Sequence, residues 1–196
     1  FKRIPRYILA KFFKLKPFHT LHPGEKPYCS SIIRYVNQRS SRKDFLDIGS
    51  GLGDIARNVD YERVHCLEYK QEVIDATVFL HRWFSFNKIS FRVTKFNFHE
   101  DEVEGRYDVI VLCNWTHNIP SDVFRSKIEG LYFNNLHQNG EIIYDLISKV
   151  TDHYPFSHKV DYINENLNAE PYEISVHPIT RFSGTDIFRH VISLKK

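Results

Sequence analysis

A run of glycines after a short apolar segment is the part of this sequence with the clearest capacity for chemistry. Phe45-Leu46-Asp47-Ile48 leads into Gly49, Gly51 and Gly53, which stand at alternate positions. Glycine permits sharp backbone turns and lets a ligand approach the chain without interference from a Cβ atom. Because open α/β sheets bind ligands at the carboxyl ends of their strands, a glycine loop that follows a strand is expected to contact a ligand.

The spacing of the glycines narrows the class of ligand. A dinucleotide-binding loop has the pattern G-x-G-x-x-G, and its third glycine would fall where this chain has Asp54. The sequence over positions 47–53 has the pattern D-x-G-x-G-x-G instead. This pattern resembles the glycine motif of class I S-adenosylmethionine-dependent methyltransferases, and the resemblance extends over roughly Pro27 to Lys196.

The resemblance implies that S-adenosylmethionine is the cofactor and that a defined set of residues binds it. In that family the acid at the end of the second strand binds both ribose hydroxyls, and Glu68 stands at this position. A carboxylate suits this role because it can accept two hydrogen bonds from a diol. Asn97 replaces the Asp that the family often places near the adenine amino group, and Asn114 lies in the loop that lines the methionine moiety. The cofactor-binding residues that the resemblance implies are Asp47, Gly49, Ser50, Gly51, Gly53, Glu68, Tyr69, Asn97, Phe98 and Asn114.

Methyl transfer makes modest demands on catalytic residues, because the cofactor already carries a good leaving group and the protein mainly aligns the nucleophile with the methyl group. A base is needed only when the acceptor starts protonated. The candidate catalytic residues are His117, after the predicted fourth strand, and Asp145, in the predicted fifth strand. Packing is the alternative role for His117.

A metal site is not predicted. In catechol-type methyltransferases a magnesium site uses carboxylates after strands four and five and a neighbouring Asn, whereas this chain has Asn114 after strand four and Leu146 after Asp145. The Asn/Asp-Pro-Pro-aromatic motif of amino-methyltransferases is also missing, because the matching residues are Asn114-Trp115-Thr116-His117. A planar exocyclic amine of DNA, or a glutamine side chain, is therefore a disfavoured acceptor.

The elements that must position these residues alternate between strand and helix from Asp44 onward. Apolar runs and period-two alternation predict strands near 45–48, 64–67, 89–93, 107–113, 141–147, 173–177 and 186–194;. Helical spacing predicts helices over 28–36, 73–84 and 124–135, a further helix is expected directly after the glycine loop, and Gly140 is expected in the turn before the fifth strand. This order favours a doubly wound α/β fold. We predict a mostly parallel seven-stranded sheet with an antiparallel C-terminal strand pair and helices on both faces.

Charge is unevenly distributed along the 196 residues, whose formal net charge is +3. Residues 1–18 carry six basic side chains and no acid, and the rest of the chain has 21 basic against 24 acidic residues. We divide the chain into a basic N-terminal arm, 1–26, and a methyltransferase domain, 27–196. The acidic balance of the domain disfavours a nucleic-acid substrate. The arm is interpreted as a helix packed on the domain with a solvated basic face, or alternatively as a peripheral contact for an anionic membrane surface through residues 1–18.

Composition also bears on the cellular compartment. Three scattered cysteines, Cys29, Cys66 and Cys113, have neither CxxC nor zinc-site spacing, which favours a reducing compartment. No apolar run approaches the ~18–20 residues of a membrane span. Pro5 and the lysines interrupt the apolar part of the N-terminus, so a signal peptide is not expected. We therefore expect a cytoplasmic protein.

The leading hypothesis is a methyltransferase that acts on a small molecule, with oxygen as the favoured acceptor atom. Two alternatives remain open. One is a methyltransferase-like domain that no longer catalyses and serves as a binding or scaffold module. The other is a methyltransferase that acts on a lipid or lipid-linked acceptor at a membrane surface.

Overall fold

The structure is a computed structural model of the chain, and it describes residues 6–16, 19, 21, 25–84, 90–179 and 186–196. The arm residues Lys2 and Arg3, and the predicted loop at Gly184, lie outside the described residues. Among the helices of the described part, none has the length and apolar character needed to cross a membrane.

Within the described residues, seven strands are hydrogen-bonded into one mixed sheet in the order β3-β2-β1-β4-β5-β7-β6. They are β1 Asp44–Ile48, β2 Arg63–Glu68, β3 Ser90–Lys95, β4 Tyr107–Leu112, β5 Leu136–Ile147, β6 Glu170–Pro178 and β7 Phe188–Lys195. The pairs β1/β2, β2/β3 and β4/β5 are parallel, whereas β7 runs antiparallel to both β5 and β6. The predicted α/β sheet with an antiparallel C-terminal strand pair is confirmed.

Burial along the strands follows their place in this order. All six positions of β4 and four of the five positions of β1 are buried, as expected for apolar runs covered on both faces. The two outermost strands differ, because β3 contains only exposed and half-buried residues and β6 has no buried residue. The continuous apolar runs therefore occupy the middle of the sheet.

The chain forms two compact units, Phe1–Glu102 and Val103–Lys196. The first contains α1 Arg6–Phe12, α2 Pro27–Val36 and α3 Gln71–Phe84, together with β1 to β3. Helix α2 begins at Pro27, whose fixed φ suits the first helical position, and it buries Tyr28, Cys29, Ile32 and Val36. These buried positions agree with the predicted helical spacing.

The N-terminal arm contributes to the core of the first unit. Leu9 and Leu15 belong to an apolar cluster with Leu52, Val73, Ala76 and Leu80. The other side of the arm is exposed, with Phe12 77% and Ile8 46% accessible to solvent. The arm therefore packs through one apolar side and presents further apolar side chains, between lysines, on the other.

A short 3-10 turn, Ala56–Asn58, follows the glycine loop. The prediction of a helix at this point was therefore wrong. In an α-helix, backbone carbonyl groups would accept hydrogen bonds from backbone amides, but here side chains donate to two of them. Arg57 Nε donates to the carbonyl of Leu52 over 3.0 Å, and Asn58 Nδ2 donates to the carbonyl of Asp54 over 2.8 Å. The chain then becomes extended at Val59 and enters β2.

The second unit contains β4 to β7, α4 Ser121–Gly130 and α5 Val160–Asn164. The predicted helix over 124–135 is correct as far as Gly130, after which Leu131–Asn135 forms a wider π turn. Strand β5 begins earlier than predicted, so Gly140 lies inside the strand and not in a turn before it. Because Asn139 has a φ of 63° and the β4/β5 register shifts here, the expected turn is an irregularity within the strand;.

Candidate active site

The glycine loop of the first unit lies against the ends of β1 and β2. The amides of Gly49 and Ser50 both donate to the carbonyl of Leu67, over 2.8 and 3.2 Å. Gly51 and Gly53 have φ values of 55° and 68°, in the left-handed region that glycine adopts without steric cost. A Cβ atom on Gly53 would lie 3.2 Å from Thr77 Cγ2, so α3 packs closely on the loop.

Glu68, the last residue of β2, binds this loop directly. Its Oε2 accepts a hydrogen bond from the Gly51 amide over 3.0 Å, and its Oε1 accepts from the amides of Tyr69 and Lys70 over 2.9 and 3.2 Å. Since an ionised carboxylate offers about four lone-pair sites, the contacts of the described residues leave one acceptor site, on Oε2, where the resemblance implied bonds to two ribose hydroxyls. A ligand hydroxyl is therefore expected to bind beside Gly51.

A buried group of charges fixes the far end of the loop. Asp54 is 5% exposed, and its carboxylate pairs with Lys26 Nζ at 3.0 Å and with Arg57 Nη2 at 3.4 Å. A buried carboxylate requires such partners. Sequence reasoning missed Lys26, because ion pairing across 28 residues leaves no local pattern. It also missed Arg57, which is only three residues from Asp54.

Asp47 lies at the base of the loop and is only 4% exposed. The pKa of Asp47 is raised to about 7, mainly by burial and also by the negative charges of Glu68 and Asp54, and the hydrogen bond from the Ala56 amide opposes this rise. The Asp47 carboxyl group therefore changes protonation near neutral pH, unlike an ordinary aspartate.

The remaining predicted cofactor residues of the first unit follow β2 and β3. Tyr69 is 60% exposed, whereas Phe98 is 9% exposed. Asn97 shapes the turn after β3, since its Oδ1 accepts from the His99 amide over 3.2 Å and its own amide donates to Asp101 Oδ2 over 2.7 Å. The resemblance directs this side chain to the adenine amino group, which is a donor, so Oδ1 is the atom that would accept from it, and the His99 amide already donates to Oδ1;.

In the second unit, side chains of β5 and β7 hold the turn after β4. Asn114 has a φ of 74°, which is uncommon for a residue other than glycine;. Its amide donates to Asp145 Oδ1 over 2.8 Å, and its Oδ1 accepts from Arg189 Nη2 over 3.0 Å. Arg189 and Asp145 are 5% and 1% exposed and form an ion pair through Nη1 and Oδ2. The hydroxyl of Thr116 has two acceptors on Asp145 within reach of its one hydrogen, the carbonyl oxygen at 3.0 Å and Oδ1 at 3.1 Å.

His117 lies in the 3-10 turn that follows, Thr116–Asn118, and is 8% exposed. Its ring contacts Tyr154 edge to face at a centroid distance of 4.5 Å, and its Nδ1 has no hydrogen-bond partner among the described residues. Burial lowers the pKa of His117 to about 4, and Arg189 and His158 add to this effect. The imidazole is therefore neutral at pH 7, and it is a weak base.

The segment after β5, which had no predicted structure, packs against the same turn. The Phe156 amide donates to the carbonyl of His117 over 3.2 Å. His158 is 1% exposed, and its Nε2 lies 2.8 Å from the carbonyl oxygen of Thr116. These contacts hold residues 154–158 against the turn that carries His117.

Sequence reasoning identified Asn114 and Asp145 but missed Arg189, which joins them. Arg189 is 75 residues from Asn114 in the sequence. The one feature of the sequence that could have indicated it is a basic residue near the start of a mostly apolar terminal strand. Within the described part of the chain, no group of three or more His, Cys, Asp or Glu side chains is placed to hold a metal ion.

No protein-family model and no curated protein sequence matches this chain. Solved structures do share its fold. Magnesium protoporphyrin IX methyltransferase from Synechocystis PCC 6803, with bound SAH, has a TM-score of 0.73 at 10% identity over 97% of this chain and 94% of that chain. The N-methyltransferase NodS from Bradyrhizobium japonicum WM9, in complex with S-adenosyl-L-homocysteine, has a TM-score of 0.68 at 12% identity over 98% of this chain and 99% of that chain. A SAM-dependent methyltransferase from Leishmania major has a TM-score of 0.68 at 12% identity over 97% of this chain and 82% of that chain. The chain therefore has the fold of class I S-adenosylmethionine-dependent methyltransferases.

Proposed function

We propose that this protein is an S-adenosylmethionine-dependent methyltransferase that acts on a small-molecule acceptor, with oxygen as the favoured acceptor atom. The observation that carries the proposal is the contact between the intact glycine loop and the strand-end acid, Gly51 N to Glu68 Oε2. Two structures of the same fold contain S-adenosylhomocysteine, which supports S-adenosylmethionine as the cofactor.

The residues of the loop fit the polar groups of this cofactor. Glu68 Oε2 has one acceptor site left for a ribose hydroxyl. A Cβ placed on Gly51 would lie in ordinary van der Waals contact with His19 Nδ1, at 3.8 Å, so among the described residues His19 is the side chain that borders this position. Tyr69, directly after Glu68, exposes an aromatic ring on which a flat base can stack;. When bound, S-adenosylmethionine supplies a methyl group on a sulfonium, which is a good leaving group.

In the second unit we assign different roles to the two candidate catalytic residues. Asp145 is a positioning residue, because Arg189 and the turn after β4 occupy its carboxylate. His117 is the candidate base, and Asn114, whose side chain is exposed, remains the predicted cofactor contact on this turn. Because the lowered pKa of His117 makes it a weak base, we favour acceptors whose O–H group is acidic or already ionised.

Calorimetry with S-adenosylhomocysteine tests the cofactor assignment. We expect the wild-type protein to bind, and we expect Glu68→Gln to weaken binding at least tenfold, because an amide NH2 would face backbone N–H donors. Glu62→Ala is the matched control, since Glu62 is an exposed acid just before β2. An absence of binding by the wild type at millimolar ligand would overturn the proposal.

Transfer of a labelled methyl group tests catalysis separately from binding. Wild-type protein, labelled S-adenosylmethionine and a metabolite extract are expected to yield a product heavier by one methylene, detected by untargeted mass spectrometry. Binding without transfer to any acceptor would favour the non-catalytic module instead.

A further inference from the structure

We infer that Arg189 is a positioning residue for the turn after β4, residues 114–118: its guanidinium joins Asn114 to Asp145 and thereby fixes the turn that carries His117. Arg189 lies on β7, Asp145 on β5 and Asn114 directly after β4. One side chain therefore links the ends of three chain segments that are remote in sequence.

The contacts use the forked shape of the guanidinium group. Nη1 pairs with Asp145 Oδ2, and Nη2 donates to Asn114 Oδ1 over 3.0 Å. A guanidinium presents donors in a rigid plane and can serve two acceptors at once, whereas the ammonium group of lysine is a single point on a flexible stem. The arrangement is therefore specific for arginine and does not depend on positive charge alone.

The carboxylate of Asp145 is divided between this guanidinium and the turn. Its Oδ2 faces Arg189, while its Oδ1 accepts from the Asn114 amide and lies near the Thr116 hydroxyl, whose one hydrogen is shared with the Asp145 carbonyl oxygen. Both the backbone and the side chain of Asn114 are thus held, at a residue whose φ of 74° has an intrinsic cost;. The guanidinium maintains a conformation that the turn alone would not favour.

His117 depends on this arrangement for its position, because it follows Thr116 directly. Tyr154 contacts its ring, and its charged or titratable neighbours include Arg189 and His158. Arg189 thus acts on His117 in two ways, through the geometry of the turn and through its charge. The importance of this position for methyl transfer rests on the proposed function, but the positioning itself does not.

Two variants separate geometry from charge. Arg189→Lys keeps a cation beside Asp145 but loses the fork. The double variant Asp145→Asn with Arg189→Gln removes both charges and leaves no unpaired buried ion, so it is expected to fold. Arg125→Gln is the matched control, since Arg125 pairs with Glu129 and Glu165 in the same unit, away from this turn.

Hydrogen exchange of the Asn114 amide and titration of the His117 ring, both followed by NMR, measure the two effects. In Arg189→Lys we expect exchange protection of Asn114 to fall at least tenfold, protection of Ile142 and Ile143 in β5 to stay within twofold, and the pKa of His117 to stay low. In the double variant we expect the same loss of protection, together with a His117 pKa that is higher than in the wild type, because the charge of Arg189 lowers it there and burial remains;.

Wild-type protection of Asn114 in Arg189→Lys would overturn the inference, whether or not the double variant folds. A loss of protection that spreads equally over β5 would overturn it too, since it would indicate general destabilisation. Calorimetry with S-adenosylhomocysteine on the wild-type protein keeps the two proposals apart. If the wild type binds none but Arg189→Lys shows the local loss, the methyltransferase proposal fails and the positioning role stands.

Discussion

Four of the buried carboxylates, those beside the glycine loop and the turn after β4, are stabilised by different partners, and their chemistry differs accordingly. Asp54 and Asp145 are paired with cations from Lys26, Arg57 and Arg189. Glu68 is bound by three backbone amides. Asp47 has only the Ala56 amide to oppose its burial, and its pKa rises to about 7. Of the four carboxyl groups, Asp47 is therefore the one expected to make stability depend on pH near neutrality.

Asp47→Asn tests this consequence. The pKa of Asp47 is about 7 in the folded chain against 3.8 for an ordinary aspartate, so the folded state binds the proton more tightly. The stability that Asp47 contributes is complete below about pH 3.8, falls as the pH rises, and is lost above about pH 7. Asn keeps an acceptor for the Ala56 amide and does not titrate. Between pH 5 and pH 8 the variant should gain up to roughly 2–3 kcal/mol in free energy of unfolding relative to the wild type.

Urea unfolding at several pH values measures this difference. Asp60→Asn is the control, because Asp60 is an exposed acid of the same unit, paired with Arg42 on the surface. That variant should follow the wild-type profile. A profile for Asp47→Asn parallel to the wild type would show that Asp47 does not titrate in this range.

Two glycines should respond in opposite ways to alanine. Gly53→Ala places a Cβ 3.2 Å from Thr77 Cγ2 at a φ of 68°, and we expect it to lower the free energy of unfolding by about 1–2 kcal/mol. Gly130 has a helical φ of −58° and no atom within 4 Å of an added Cβ. Gly130→Ala should raise the free energy of unfolding by about 0.5–1 kcal/mol.

Urea unfolding and calorimetry together check the pair. Only Gly53→Ala should also weaken binding of S-adenosylhomocysteine, since Gly130 lies at the end of α4 in the second unit. Similar stability for both variants would mean that the left-handed conformation of Gly53 is not needed by the loop.

At the scale of elements, the N-terminal arm has two sides with different consequences. Leu9 is 3% exposed in the apolar cluster and Phe12 is 77% exposed. Leu9→Ala is expected to lower the free energy of unfolding by about 2–4 kcal/mol, because it leaves a cavity. Phe12→Ala should change it by less than about 0.5 kcal/mol. Thermal or urea unfolding of both variants measures the difference, and equal losses would show that the arm packs differently.

Because the arm packs on the first unit, the hypothesis that the arm contacts a membrane cannot be tested by removing it. A truncation to His19 would remove Leu9 and Leu15 from the cluster, so any change in vesicle binding would be confounded by unfolding. Phe12→Ser alters the exposed side alone, and Val150→Ser, an apolar residue 61% exposed in the second unit, is its control. Equal sedimentation of the wild type and Phe12→Ser with anionic vesicles would contradict the hypothesis that the arm contacts membranes.

The strands were predictable from the sequence because each is defined by its own residues. The run Val109-Ile110-Val111 is β-branched, apolar and buried throughout, and such runs favour strands covered on both faces. The helix expected after the glycine loop failed for a reason that lies outside its own residues. Arg57 and Asn58 bind carbonyl groups of the loop with their side chains, and periodicity does not reveal such contacts.

The start of β5 was misplaced for a similar reason. Gln138-Asn139-Gly140 has the composition of a turn, yet the strand runs through it, and the register with β4 shifts at this point. A Cβ on Gly140 would lie 2.9 Å from the carbonyl oxygen of His137 and 3.1 Å from that of Tyr107. The glycine therefore permits close approach of backbone within the strand, a use that composition alone does not distinguish from a turn.

At the scale of the whole molecule, the candidate site divides into a part that was predictable and a part that was not. The glycine loop was predicted from the spacing of its glycines, and Glu68 from the family resemblance that this spacing indicates. Lys26 and Arg189 were not, because each binds a carboxylate that is more than 25 residues away in the sequence and shows no periodic pattern. The predicted contacts were those that a ligand would make, whereas the missed ones hold the ligand-facing segments in place.

The three cysteines provide a measurement on the whole molecule. All three are buried and none is in a disulfide within the described residues, with Cys29 and Cys66 in the first unit and Cys113 in the second. Burial raises the pKa of Cys29 to about 12 and raises that of Cys66 well above its usual value. Because the thiolate is the reactive form, the native chain is expected to resist thiol reagents, and labelling should require opening of the structure.

Ligand binding should therefore slow the labelling of Cys66. A ligand at 100 times its dissociation constant stabilises the native state by about 2.7 kcal/mol, which corresponds to about a hundredfold lower population of the open form. When opening equilibrates faster than the reagent reacts, the labelling rate follows that population. S-adenosylhomocysteine should slow labelling of Cys66 in the wild type by about this factor, measured by mass spectrometry, and much less at the same concentration in Glu68→Gln. If calorimetry shows that the wild type binds the ligand but the labelling rate of Cys66 does not change, the binding site lies outside the structure that protects Cys66. The site would then not be at the glycine loop beside β2.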